Sequence, residues 1–380
     1  MSTVKVNTIQ DSSGSVDLLN YANGSATGIA VNSGRKNLII NGAMQVAQRG
    51  TSFTPGTSGT YCLDRWHATS GSSFNFDATV TQSTDAPAGF GYSLKADVNS
   101  VQTPTGGHNA AFQQKFEGQD LQQLQYGSAG AKDLTISFWV KSNKTGSYSV
   151  ASTHPDASGV YQVKEYTISS ADTWEYKTVT IEGDTSNAIT NDNTLSLYVY
   201  FNLATGADDK KAPTTSWTSS GGIVGSTNQV NLFDSTSNYW QITGVQLEVG
   251  SVATPFEHRS YGEELALCQR YYQRFNQNAS NYIRIGVAVG TGSNAGYMMV
   301  SLPSVMRATP TLTSTGLSSS IRFLGGGGSN SVTALTVDRY GSNNNLSVYF
   351  TTAAGISSGT AGIIDTGGAT SSDMYLDSEL

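Results

Sequence analysis

The sequence predicts an all-β fold with two β-domains separated by a short helix. Short segments in which apolar and polar residues alternate recur along the chain, the period of strands with one buried face. Turn-forming residues interrupt these segments roughly every ten residues. The 380 residues include 41 Gly, and charged residues make up only 13%, about half of the ~25% usual for a soluble domain. This composition is typical of extracellular-type β-proteins with neutral polar surfaces.

Residues 1–36 are predicted to form a short N-terminal attachment segment. Val4, Val6 and Ile9 indicate one alternating strand, and Asn23 followed by Gly24 indicates a hairpin turn. A segment of this length cannot bury a core by itself. We therefore expect it to need partner chains or a docking surface.

Residues 37–260 are predicted to form the first and larger β-domain. Its clearest strands cover residues 134–140, 174–181, 195–201 and 239–247. The residues expected to face the core are Ile136, Phe138, Val140, Leu195, Leu197 and Val199. Because each sheet has one apolar face, two such sheets should pack as a sandwich.

The boundary between the β-domains is predicted where the hydrophobic period changes. The strand ending near Leu247 is slightly out of register at Gly244, and a helical spacing follows. Ser260 and Glu263 have the spacing of a capping box, so a linker helix is predicted over residues 261–276.

Residues 277–380 are predicted to form a second, smaller β-sandwich-like domain. Its strands cover residues 283–289, 297–302, 332–337 and 346–350, with glycine-rich turns between them. Exposed sheet edges in such a domain would suit trimerisation.

The charge balance excludes several partners. A net charge of −7 argues against nucleic acid, and Lys210 and Lys211 are cancelled by Asp208 and Asp209. No apolar run approaches the ~18 residues of a membrane span. The opening MSTVKVNTIQ has no signal-peptide core, so we expect synthesis in a cytoplasm. A neutral, aromatic surface suits carbohydrate better than a strongly charged partner.

Cys62 and Cys268 are the only cysteines. Two cysteines are too few for a disulfide framework. We expect two buried free thiols, with a single bridge between them as the alternative.

Five segments resemble parts of bacteriophage tail-fibre proteins. The opening pair NLIINGAMQVAQRG and CLDRW (37–50 and 62–66) and the closing ITGVQLEVGSVATPFEHRSYGEELALCQRYYQRF (242–275) resemble the two ends of a jelly-roll domain in these fibres. VSLPSVMRATPTLT (300–313) and the ending MYLDSEL (374–380) resemble their last domain. Together the segments bracket residues 37–380 in the order that the family has.

The resemblance implies a jelly-roll domain similar to carbohydrate-binding modules in a non-enzymatic virion protein, assembled in the bacterial cytoplasm. It implies host attachment through surface glycan, a homotrimer, no cofactor, and fastening to other virion proteins through the N-terminal segment. The alternatives are a head fibre or capsid decoration protein, a structural tail adaptor, and a glycan-degrading tail spike.

Metal sites have little support in the sequence. The four histidines are scattered, without HxH or HExxH spacing. Many jelly-roll carbohydrate-binding modules hold a structural calcium near an acid after the opening Asn-Gly. Gln45 stands there instead, which weakens that case because calcium prefers carboxylate oxygens. We predict no metal.

Catalysis is also weakly supported. Glycan hydrolysis needs two carboxylates across a groove, and Asp156, Asp184 and Asp338 are candidates only by abundance. The glycines at 290–296 are predicted to form a hairpin turn rather than a phosphate loop.

Receptor contact is predicted at two polar loops that carry an aromatic residue. Trp217 lies in PTTSWTSSGG, and Tyr340 precedes GSNNN, which includes Asn343 and Asn344. An aromatic ring beside hydrogen-bonding side chains is the usual platform for a sugar. The structural alternative is that each ring pins its own loop or packs on a neighbouring subunit. The other tryptophans, in strand-like or motif positions, are predicted to be core: Trp66, Trp139, Trp174 and Trp240.

The triplet Asp64-Arg65-Trp66 offers one more candidate. A ligand site is one interpretation. The favoured interpretation is an Arg–carboxylate pair that fixes a corner of the fold.

Overall fold

The computed structural model describes residues 35–219, 225–275, 283–318, 320–338, 341–366 and 373–380, and the backbone of three strands before residue 35. The chain divides into two compact units, Met1–Lys36 and Asn37–Leu380. Among the described residues, no helix has the length and apolarity to cross a membrane.

The first unit holds a three-stranded antiparallel sheet in the order β1-β2-β3. Its strands are β1 Thr8–Gln10, β2 Asp17–Ala22 and β3 Ser25–Ala26. Ala22 pairs with Ser25, and Tyr21 pairs with Ala26. Val4, Val6, Asn23 and Gly24, on which the predicted strand and turn depended, lie outside the described residues.

The second unit begins with a β-sandwich, which confirms the predicted fold class. Its strands are β4 Ser52–Phe53, β5 Thr60–Tyr61, β6 His67–Gly71, β7 Ala78–Ser83, β8 Ser93–Val98, β9 Asn109–Glu117, β10 Leu134–Ser142, β11 Gly146–His154, β12 Val160–Ile168, β13 Glu175–Ile181, β14 Leu195–Thr205, β15 Lys210–Lys211, β16 Thr218–Ser219, β17 Gly225–Ser226 and β18 Tyr239–Val249. Four short 3₁₀ helices interrupt them at Gly118–Leu124, Pro155–Ala157, Ala207–Asp209 and Leu232–Asp234.

Two large sheets make up this sandwich. One has six strands in the order β13-β10-β18-β8-β7-β4, and the other has seven in the order β16-β12-β11-β14-β9-β6-β5. Ile136, Phe138 and Val140 are fully buried between them, as are Leu197 and Val199. Leu195 is only half-buried, because the pairing of β14 with β9 shifts register between Leu195 and Leu197. The period-2 alternation that predicts the sandwich therefore also selects its core.

The tryptophan prediction was half right. Trp66 and Trp240 are fully buried in the core. Trp139 and Trp174 are only half-buried, so their assignment to the core was wrong. Trp139 alternates with the inward Phe138 and Val140 on β10, so it must face outward.

The boundary segment forms the predicted bulge and helix cap. The pairing of β10 with β18 shifts register opposite Gly244, whose φ of 61° lies in the left-handed region that favours glycine. Helix α1, Tyr261–Gln269, starts with a complete capping box between Ser260 and Glu263. The helix is shorter than the predicted 261–276.

The helix ends early because the following residues join a sheet. Strand β19, Tyr272–Arg274, pairs with β27, Asp373–Asp377. The Phe275 N–H also donates to the Met374 carbonyl oxygen at 2.9 Å. A distant strand therefore supplies the hydrogen bonds that another helical turn would have made internally.

The last part of the chain is a closed barrel beside this small sheet. The remaining strands are β20 Arg284–Gly292, β21 Ala295–Ser301, β22 Thr311–Thr315, β23 Arg322–Gly325, β24 Gly328–Val337, β25 Asn345–Thr352 and β26 Ala361–Asp365. The barrel order is β20-β21-β25-β24-β23-β26, and the small sheet is β19-β27-β22. All four predicted strands are present. Because the barrel is closed, it lacks the exposed sheet edges on which the prediction of a trimer depended. The trimer stays a prediction.

The triplet Asp64-Arg65-Trp66 is structural. Arg65 is buried, forms an ion pair with Glu379, and lies 3.5 Å from the centre of the Tyr271 ring. The predicted Arg–carboxylate pair exists, but its carboxylate comes from a residue 314 positions away rather than from Asp64. Asp64 instead accepts hydrogen bonds from the backbone N–H and the side-chain amide of Gln48.

Both cysteines are buried free thiols. Burial raises the pKa of Cys62 to about 12 and that of Cys268 well above its ordinary value. Both thiols are therefore protonated and unreactive at neutral pH.

Candidate functional site

Trp217 pins its own loop to the body of the sandwich. Its indole N–H donates to the Glu182 carbonyl oxygen at 2.7 Å. Its ring meets those of Tyr126 and His154 edge-on, with centroids 5.9 and 6.1 Å away. The ring is half-buried and packs against the sandwich core. These contacts match the structural alternative for Trp217 better than the receptor-binding one.

The second predicted loop is only partly described. Tyr340 lies outside the described residues. The carbonyl oxygen of Asn343 accepts from the Met306 N–H at 2.8 Å, so the turn before β25 is held against the segment after β21. Asn344 is exposed. Among the described residues, no contact joins this turn to Trp217, so the two predicted loops form no common site.

Two of the three candidate acids meet around a buried histidine. The nitrogens of fully buried His154 lie 3.8 Å from Asp156 and 3.6 Å from Asp184. Asp184 is itself buried and accepts from the N–H groups of Ser186 and Asn187. Carboxylates held this way stabilise a turn, whereas hydrolysis needs them open to a groove. Asp338, at the end of β24, belongs to the barrel region.

No histidine, cysteine, aspartate or glutamate group of three or more in the described part of the chain could hold a metal ion. The carbonyl oxygens of Met44 and Gln45, in the opening segment, accept from the side-chain amide of Gln82 at 2.7 and 3.3 Å. These two carbonyl oxygens therefore accept hydrogen bonds from a neutral side-chain amide.

A different surface brings partly exposed aromatic rings together. On the outer face of the six-stranded sheet, Trp139 on β10 is the register partner of Tyr176 on β13. Their ring centroids are 5.4 Å apart, and Tyr176 is 45% exposed. A cross-strand aromatic pair of this kind fixes both rings and leaves their outward faces accessible.

Asp85 holds a third aromatic ring, that of Trp174, on the same outer face. One carboxylate oxygen accepts from the Trp174 indole N–H at 3.2 Å, and the other accepts from Lys141 and from the Gln241 amide at 2.8 and 3.1 Å. Burial raises the pKa of Asp85, but these hydrogen bonds outweigh burial and hold the pKa below its ordinary value. Asp85 is therefore ionised at neutral pH and orients Trp174.

Tyr239 on β18 extends the same face. Its hydroxyl donates to Asp172, and the Lys95 ammonium lies 5.0 Å from the centre of its ring. We call Trp139, Trp174, Tyr176 and Tyr239 the aromatic face. Sequence reasoning missed it, although the strand period that places Phe138 inside already places Trp139 outside.

The aromatic face combines flat apolar rings with charged groups. Rings can stack on the C–H face of a sugar, while Asp85 and Lys141 at their edges can exchange hydrogen bonds with hydroxyls. The rings are held by partners within the protein, so little conformational entropy is lost on binding. This arrangement can bind a hydroxyl-rich ligand.

The opposite outer face of the sandwich also carries aromatic residues, but they are covered. On the seven-stranded sheet, Tyr198 and Tyr200 stack with centroids 5.2 Å apart. Tyr200 and Tyr161 are only 4% and 5% exposed and pack with Ala111, Ala151 and Val163 as a small apolar cluster. This cluster belongs to the packing of the fold.

No family model and no curated protein matches the sequence. Among solved structures, the enzymatically active domain of bacteriophage CBA120 tailspike protein 4 is similar at 17% identity and a TM-score of 0.30. That match covers 56% of this chain and 21% of the tailspike chain, so this chain spans about a fifth of that protein's length.

Two carbohydrate-binding modules are similar at the same level. The C-terminal family 22 module of Clostridium thermocellum Xyn10B has 10% identity and a TM-score of 0.29, covering 53% of this chain and 98% of that one. TmCBM61, solved with β-1,4-galactotriose, has 12% identity and a TM-score of 0.27, covering 57% and 99%. All three neighbours are β-rich, and likenesses this weak carry no argument about function.

Proposed function

We propose that this chain is a non-enzymatic phage tail fibre, or a closely related virion appendage, that binds host-surface glycan through the aromatic face. The observation that carries the proposal is the partly exposed, cross-strand Trp139–Tyr176 pair beside the oriented Asp85 and Trp174. The resemblance of five ordered segments to tail-fibre proteins supports the virion assignment.

In this proposal, adhesion depends on several copies of the chain binding glycan at the same time. A single surface with a few rings gives weak binding to one sugar chain, because only a few side chains bury area on contact. Several copies on one particle convert weak contacts into strong attachment. In this proposal the N-terminal segment joins the chain to other virion proteins, and a homotrimer presents three aromatic faces.

Competition on host cells tests the proposal. We expect the purified full chain to bind host cells and to be displaced by free surface polysaccharide from the same host. We expect no release of reducing sugar during prolonged incubation with that polysaccharide. Sugar release would instead identify a glycan-degrading spike, and failure of the polysaccharide to compete would overturn the glycan assignment.

A separate experiment tests where on the virion the protein is located. We expect antibodies against the chain to label the tail in electron micrographs. Labelling of the head would support the head-fibre or decoration alternative, and labelling inside the tail would support the structural adaptor.

A further inference from the structure

The barrel exposes a contiguous apolar surface that its own fold does not use. Val287 and Val289 on β20 are 70% and 44% exposed, and Tyr297 and Met299 on β21 are 37% and 47% exposed. These residues are direct register partners across the hairpin, Val287 with Met299 and Val289 with Tyr297. Four large apolar side chains therefore lie side by side in solvent.

A fifth ring widens the surface onto the next strand. Tyr349 on β25 pairs with Tyr297, and their rings meet edge-on with centroids 5.4 Å apart. We call these five residues the barrel patch. The alternate residues of the same strands point into the barrel and fill its core: Ala288, Met298, Val300, Val348 and Phe350. The patch is thus additional to the residues that stabilise the barrel.

The largest contiguous apolar patch on a protein surface is often an interaction site. The three strands that carry it contain one charged residue, Arg284, at the start of β20. An uncharged patch offers no electrostatic complementarity to an acidic or basic partner. It can meet an identical patch without like-charge repulsion, even though each chain has a net charge of −7.

The closed barrel also limits how a partner can bind. Because the six strands pair in a ring, they present no free edge for strand addition. Contact must therefore be made by side chains, apolar against apolar. We infer that copies of this chain associate through the barrel patch. This inference rests on the proposed function, in which several copies of the chain bind glycan together. It deepens that function by assigning the surface that would hold the copies together.

Sedimentation of the full chain tests the inference. We expect the wild type to sediment as an oligomer at micromolar concentration, and the variant Val287→Lys with Met299→Lys to sediment as a monomer. The association constant should fall at least tenfold, because two buried ammonium groups per copy would have to be desolvated. The matched control is Val252→Lys, on a sandwich residue that is 60% exposed, and it should remain oligomeric.

The results that would contradict association through the barrel patch can be told apart from one another. A monomeric wild type, or an unchanged oligomer in the double variant, overturns the inference. A monomeric wild type that floats with neutral phosphatidylcholine vesicles would assign the patch to lipid instead. Should the lysine variant melt early, Val287→Thr with Met299→Gln provides the same comparison with less disturbance. Binding of a short oligosaccharide should be unchanged in the monomeric variant, so loss of association and loss of glycan binding are separable.

Discussion

The two outer faces of the sandwich have similar numbers of aromatic residues but different access to solvent. On the six-stranded sheet, the Trp139–Tyr176 pair is partly exposed and polar groups hold the neighbouring rings. On the seven-stranded sheet, Tyr161 and Tyr200 are buried beneath their surroundings. The difference teaches that exposure and polar support, rather than aromatic content, distinguish a ligand surface from packing.

The largest effect should come from removing the partly exposed pair. We expect Trp139→Ala with Tyr176→Ala to weaken binding to host polysaccharide at least 30-fold. A central aromatic contact contributes about 2 kcal/mol, which corresponds to roughly 30-fold in affinity. Isothermal titration with polysaccharide fragments measures this loss. Tyr198→Ala, on the opposite face, is the control and should change affinity less than twofold.

Trp217 provides the next largest effect, on stability rather than on binding. Trp217→Ala removes a half-buried ring and a hydrogen bond, so we expect the free energy of unfolding to fall by about 2 kcal/mol. Affinity for polysaccharide should be unchanged. Denaturant unfolding and titration of the same preparation check both expectations. If affinity falls while stability is retained, the ligand surface lies at Trp217 and the comparison of the two faces fails.

Replacing Asp85 should have a smaller effect. Asp85→Asn keeps a hydrogen-bond acceptor for Trp174 but removes the ion pair with Lys141. We expect affinity for polysaccharide fragments to fall about threefold, within the range of an exposed ion pair. Glu182→Gln is a suitable control, because that carboxylate pairs with Lys164 and contacts no ring of the aromatic face. Equal losses in both variants would show a general charge effect.

The smallest effect is a dependence on pH. The folded-state pKa of Asp85 is lower than its ordinary value of 3.8. The ionised carboxylate therefore favours the folded arrangement above that value, and its contribution is lost as pH falls through the lower folded-state pKa. We expect glycan affinity to be constant from about pH 7 to pH 5 and to decline only below about pH 4. A decline already between pH 7 and pH 5 would exclude Asp85 as its cause.

Local patterns in the sequence predicted most of the fold. Strand alternation located β10, β14 and β18, and the spacing of Ser260 and Glu263 located the helix start, because both signals depend on neighbouring residues. The helix end was missed because strand β27, about a hundred positions away, supplies its replacement hydrogen bonds. The partner of Arg65 was missed for the same reason, since Glu379 is 314 positions away.

The site was harder to predict than the fold. Trp217 lies in a loop without periodicity, so the sequence gives no indication that its ring is half-buried against the sandwich. Trp139 was predictable, because its position on β10 is fixed by the alternation around it. The cluster of Asp85, Lys141 and Trp174 was not, because it joins three segments that only the folded sheet brings together.

The most direct test uses the indole N–H signals of the five tryptophans in an NMR titration of the full chain with fragments of host polysaccharide. Assignment by single Trp→Phe variants makes each ring a separate reporter. We predict that the signals of Trp139 and Trp174 shift with ligand, while those of Trp66, Trp217 and Trp240 stay unchanged. A shift confined to Trp217, or saturation binding that moves neither Trp139 nor Trp174, would contradict a glycan site on the aromatic face.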